Sequence, residues 1–123
     1  MLSTSEQGDI DRLKFVLKKI RDLEEYLKRY GSVRELLNDN LGWDASLMCL
    51  EQIGETLSKI KDDQIRNRLP VRDAYGLRII ISHRYGDVIF HEVEDTIKKD
   101  IPELKVKIEA IFEEIENREE GKE

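Results

Sequence analysis

Apolar residues stand at Leu13, Val16, Leu17, Ile20, Leu23, Leu27 and Tyr30, at steps of three and four. That spacing is the period of a helix that buries one face. The stripe runs for about five turns, and Lys18, Lys19, Arg21, Asp22, Glu24, Glu25, Lys28 and Arg29 fill the opposite, solvated face. Asp9 or Asp11 is placed to start the helix as a cap or first-turn acid. Gly31 is placed to end it.

The rest of the chain repeats the pattern. Ser32 is a predicted N-cap with Glu35 as its capping-box partner, opening a short turn from Val33 to Asp39. Asn38, Asp39, Asn40 and Gly42 signal a break. A second long helix is expected from near Trp43 and Asp44, with Ala45, Met48, Cys49, Ile53, Leu57 and Ile60 on its core face. Gly54 inside it costs about 1 kcal/mol of helix propensity and points to close approach of another backbone, within a bundle or across a dimer. Trp43 reads as a core or interface aromatic. Residues 61–64 read as a solvated connector.

Pro70 is suited to the first turn of a helix running from Val71 to about Ile81. Ile79, Ile80 and Ile81 would suit a strand, but no second strand exists to pair with them. Gly86 and Asp87 mark a turn, with Asp87 as cap of a helix carrying Ile89, Phe90, Val93 and Ile97. Asp100, Ile101 and Pro102 are expected to interrupt it. A last helix follows with Ile101, Leu104, Ile108, Ile111, Phe112 and Ile115 on one stripe, and the charged tail from Glu116 is expected to fray. The fold class is therefore all-α, an antiparallel up-and-down bundle of four to five helices. At 123 residues, with 39% charged and 39% hydrophobic, the expectation is one domain over 1–123, with about 9–115 forming the bundle.

The single cysteine, Cys49, excludes an intrachain disulfide and reads as a buried small hydrophobe. No second histidine lies at helical spacing from His91, so no metal site is predicted there. The start of the chain lacks the pattern of a secretory leader, and no segment nears the roughly 20 apolar residues of a membrane span. A cytoplasmic location without membrane partners is the expectation.

Charge is unevenly spread. The net charge is −6, against wholesale coating of nucleic acid. Residues 64–86 are the exception: Arg66, Arg68, Arg72, Arg78 and Arg84 face Asp73 alone. Arginine favours bidentate contact with phosphate, although the same side chains also serve as solvated ion-pair partners. Within this basic stretch, Asp73 to Asp87 gathers a guanidinium, an imidazole and a phenol: Arg78, His83 and Tyr85. In an unbroken helix Arg78 and His83 would diverge by roughly 140°. They converge only if the helix ends near Ile81 or Ser82.

Arg-x4-His-x-Tyr at Arg78, His83 and Tyr85, after Gly76-Leu77 and before Gly86, resembles the signature of HepT-like proteins of the HEPN superfamily. Ala45 to Thr56, with Ile53-Gly54-Glu55 at its centre, is similar to a helix of that family, and Asp100 to Leu104 resembles its turn into the last helix. The likeness spans about Asp9 to Ile115. It implies a metal-independent endoribonuclease without a cofactor, acting on RNA through the 2′-hydroxyl. Arg78 and His83 would be catalytic, in a homodimer that pools two motifs in one cleft. It also implies a toxin paired with a minimal nucleotidyltransferase antitoxin that transfers AMP to Tyr85.

The chemistry of the residue types agrees. Cleavage needs one proton taken from the 2′-oxygen and one given to the 5′-oxygen, and imidazole does both near neutral pH. A guanidinium matches the charge that builds on phosphorus-bound oxygens. Arg72 and Arg84 are further candidates for RNA-phosphate contact. Ile79 departs from the family's common polar residue after the arginine. It favours a second reading, an inactive HEPN-like module that binds RNA, a nucleotide or a nucleotidyltransferase partner.

Overall fold

The computed structural model describes residues 4–69 and 86–121. Every regular element among them is helical, in an all-α bundle. The helices are α1 (Thr4–Tyr30), α2 (Val33–Asn38), α3 (Asn40–Ser58), α4 (Asp63–Arg68), α5 (Gly86–Asp95) and α6 (Ile101–Glu120), with a π-helical turn, Thr96–Asp100, joining the last two.

The α1 stripe is the spine of the core. Leu13, Val16, Ile20 and Leu23 are almost completely buried, each removed from water at a gain of about 1.5–3 kcal/mol. They pack with Leu36 and Leu37 of α2, Leu50, Ile53 and Leu57 of α3, and Leu104, Ile108 and Ile111 of α6. Lys105 on α6 adds a 2.9 Å hydrogen bond to Glu24 on α1. The α1 start differs from expectation. The helix begins at Thr4, and Asp9 is a wholly buried residue within it rather than its cap.

The turn out of α1 follows its sequence. Gly31 has φ +92°, a left-handed conformation that glycine adopts without steric cost. Its N–H bonds to the Leu27 carbonyl at 2.8 Å. Ser32 Oγ accepts the Glu35 N–H at 3.1 Å, the predicted N-cap of α2. Asp39 then ends α2 and caps α3, because its carboxylate accepts the Gly42 N–H at 3.0 Å and the Tyr30 hydroxyl at 2.7 Å.

Helix α3 therefore starts before Trp43, and Gly42 lies in its first turn instead of breaking the chain. A Cβ on Gly42 would stand 2.1 Å from the Leu36 carbonyl oxygen and 2.9 Å from Leu36 Cδ1. Gly42→Ala is expected to destabilise the fold near the upper end of the roughly 1–3 kcal/mol typical of overpacking, because the obstacle is backbone. A urea midpoint equal to wild type would contradict this close approach. The core face of α3 is also rotated from the predicted one. Ser46 and Leu50 join Cys49, Ile53 and Leu57 inside, whereas Met48 is 55% exposed. Cys49 is buried as expected, and burial pushes its thiol pKa up.

Residues 61–64 are more than a connector. Asp62 accepts the Ile65 N–H at 3.1 Å and caps α4, a helix with no buried residue of its own. At the other end of the chain, the expected interruption at Asp100–Pro102 is absorbed by the π-turn, where the Ile101 N–H bonds to Thr96 O, five residues back. Pro102 has no N–H for the regular ladder. Ile89, Val93, Ile97 and Ile101 are all buried at steps of four, which overshoot an α-helix by about 40° each; a wider turn keeps them on one face. Helix α6 then runs on to Glu120, past the predicted fraying point.

Candidate functional site

The predicted site residues Arg72, Arg78, His83, Arg84 and Tyr85 lie outside the described residues, as do Ile79 and the helix predicted from Val71. The structure describes what holds the two ends of that stretch. α4 leads to it and α5 leads away, starting one residue after Tyr85.

The entry is held by Asp9. Its Oδ1 accepts the Lys61 N–H at 3.0 Å and its Oδ2 the Asp62 N–H at 2.8 Å. Arg12 Nη1 closes an ion pair with the same carboxylate at 3.0 Å. Just beyond, Arg66 Nη1 donates to the Ile60 carbonyl at 2.7 Å, and Arg68 makes a two-pronged pair with Glu114 on α6, its Nη2 lying 3.0 Å from Oε1. Two of the five arginines in the basic stretch are thus occupied in structural contacts.

The exit is held on α5. Phe90 stacks on Trp43 of α3, with centroids 5.8 Å apart and planes 8° from parallel. Glu94, 5% exposed, accepts from Arg34 of α2 through Nε at 3.1 Å and Nη2 at 3.4 Å. Lys98 Nζ lies 3.4 Å from the same carboxylate and His91 Nδ1 3.9 Å from it. Neither the Arg34–Glu94 pair nor the bonds from the Lys61 and Asp62 N–H groups to Asp9 were foreseen, since each joins residues more than fifty positions apart. The local signals were the three-residue steps from Asp9 to Arg12 and from His91 to Glu94 and the four-residue step from Glu94 to Lys98.

The Arg34 hydrogen bonds hold the Glu94 carboxyl below its ordinary value of 4.5. A carboxylate with a lowered folded-state pKa contributes stability that is present above the unfolded value and lost as pH falls through the folded one. Unfolding free energy is therefore expected to fall as pH drops below about 4.5, and to fall less steeply in Glu94→Gln. Denaturation series at stepped acid pH measure this, and parallel curves for the two proteins would show that the pair contributes nothing.

A groove of about 790 Å³ lies beside the entry, between the start of α1, α4 and the second half of α6. Ile10, Ile65, Ile111 and Ile115 line it with Glu6, Asp62, Asp63 and Glu114, against Arg68 and Arg118. Four carboxylates against two guanidiniums make it a poor receptor for RNA phosphate. Among the described residues no cluster of three or more metal-ligating side chains occurs, and no helix is long and apolar enough to cross a membrane.

A helical bundle whose sequence carries Arg-x4-His-x-Tyr between two tied helix ends has the makings of a HEPN-type protein. The chain belongs to the HepT-like ribonuclease family, whose model matches residues 16–111 and so takes in the whole Arg78–Tyr85 stretch. It is 32% identical over 109 residues to a provisionally named RNase of Methanocaldococcus jannaschii, covering 86% of this chain and 88% of that one. A second provisionally named RNase of the same organism is 34% identical over 87 residues, covering 68% and 74%. A protein of Thermococcus cleftensis, provisionally named ribonuclease HepT, is 29% identical over 103 residues, covering 82% and 93%. No solved structure matches the chain.

Proposed function

We propose that this protein is a metal-independent endoribonuclease that cleaves RNA by attack of the 2′-hydroxyl on the adjacent phosphate. The observation that carries this reading is the HepT-like ribonuclease match across residues 16–111, a span that contains Arg78, His83 and Tyr85. His83 takes the 2′-hydroxyl proton or returns one to the 5′-oxygen that leaves as the P–O bond breaks. Arg78 offers two N–H donors to the charge that builds on the phosphate. One chain supplies one such histidine for two proton transfers, so a homodimer that joins two motifs completes the site. Tyr85 is the proposed acceptor of AMP from a nucleotidyltransferase antitoxin, and the added bulk and charge would exclude RNA. Arg72 and Arg84 are proposed RNA-phosphate contacts, and residues 1–123 are proposed to act as one domain in the cytoplasm.

The direct test is incubation of purified protein with RNA in EDTA. Products ending in a 2′,3′-cyclic phosphate support the mechanism. Complete dependence on added divalent metal would refute it. Ile79 favours one alternative, a HEPN-like module that binds RNA, a nucleotide or the nucleotidyltransferase without cutting. That reading predicts RNA retention with no products.

A further inference from the structure

The face made by α2, α5 and the π-turn collects positive charge above one buried carboxylate. Arg34 Nε and Lys98 Nζ share Glu94 Oε2, at 3.1 and 3.4 Å. Among the described residues, two permanent cations share this one carboxylate, a local excess of positive charge in a protein whose net charge is −6. The arrangement is layered. The Glu94 side chain is 7% exposed, whereas those of Arg34, Lys98 and His91 are 63%, 48% and 71% exposed. The acid is the floor and the donors are the lip.

The donors are also pre-set. Arg34 engages Glu94 through Nε and Nη2, and its Nη1 has no partner among the described residues. Lys98 has three donors and directs one toward Glu94. Side chains already held in place lose less entropy on binding. His91 meets the Phe90 ring edge-on, with centroids 5.9 Å apart at 89°, at the end of the aromatic row that Trp43 begins. Asp95 pairs with Lys99, and Glu92 lies about 160° around α5 from Glu94.

Position relates this face to the proposed chemistry. α5 starts one residue after Tyr85, and His91 lies five residues into it, about 7.5 Å along the axis. A strand of RNA that ran on from residues 78–85 along α5 would meet these donors. We propose that Arg34, His91 and Lys98 form a second contact for single-stranded RNA, holding a backbone phosphate that flanks the one cleaved. The proposal rests on the ribonuclease reading and adds to it the path of the substrate. Because the contact is to phosphate, it contributes affinity and salt dependence without sequence preference.

The test is fluorescence anisotropy with a short, labelled, 2′-O-methylated single-stranded RNA, which cannot be cleaved, over a series of salt concentrations. Lys98→Gln is expected to weaken binding roughly fivefold or more and to lower the slope of log K against log salt by about one. His91→Gln is expected to weaken binding further when combined with it. Lys107→Gln removes the same charge from α6, where Lys107 pairs with Glu103, and is expected to change neither quantity. Wild-type binding with an unaltered slope in Lys98→Gln would overturn the second contact and leave the ribonuclease reading intact. An equal effect from Lys107→Gln would also overturn it, by showing that net charge alone matters. A wild type that binds no RNA would overturn both.

Discussion

His83→Ala is expected to lower the rate of RNA cleavage by roughly 10²- to 10⁴-fold, the usual worth of a positioned general acid or base. Arg78→Ala is expected to lose roughly 10²- to 10³-fold, as when one donor to a developing charge is removed. The two losses should not multiply, because the residues act on one transition state. The helical signal and urea midpoint of both variants are measured beside the rates, so that a loss of folding is told apart from the loss of a catalytic group. Single-turnover cleavage of a labelled RNA measures the effect, and the trapped product end identifies the chemistry. Equal rates for wild type and His83→Ala would remove His83 from the mechanism and favour the binding module that Ile79 suggests. If the site is shared between two protomers, mixing His83→Ala with Arg78→Ala restores part of the activity. That recovery is impossible if each chain works alone.

The second large effect concerns stability. Asp9 is wholly buried, yet its carboxylate accepts from two backbone N–H groups across the fold and faces Arg12. Asp9→Ala leaves all three donors without this acceptor; Arg12 can turn to water, and the two backbone N–H groups cost roughly 1–3 kcal/mol each when left unsatisfied. Asn is no substitute. Its amide accepts on one side only and turns an N–H toward the other donor. Both variants are expected to shift the urea midpoint strongly downward, Asn somewhat less than Ala. A shift under 1 kcal/mol in Asp9→Ala, small against the usual cost of an unsatisfied buried donor, would show that water replaces the carboxylate.

The helices that bury a regular stripe were legible in the sequence. α1 and α6 place Leu13 to Leu23 and Leu104 to Ile111 inside, as their three- and four-residue steps require. Local chemistry also read correctly where it acts over three or four residues, at Gly31 and at the Ser32 cap. The misreadings share a cause. Asp9 looks like a helix start by residue type, but the backbone N–H groups it accepts from lie more than fifty residues away. Met48 looks like core, yet neighbouring elements turn α3 so that Ser46 is inside and Met48 outside. Pattern within one segment does not contain the rotation that other segments impose. The site was legible as a motif, Arg78, His83 and Tyr85. The cations around Glu94 were not, because Arg34 comes from α2, sixty positions earlier.

The π-turn between α5 and α6 makes the chain sensitive to its own length at one place. Five residues in the wide turn advance about as far around the axis as four in an ordinary α-helix, so the turn holds one residue more than Leu104, Ile108 and Ile111 need to reach the face that meets α1. Removing that residue would keep the face only by running a regular helix through Pro102, which has no N–H for the ladder and whose ring meets the carbonyl four residues back. Length variation among natural sequences should therefore come here as a single residue, together with loss of the proline.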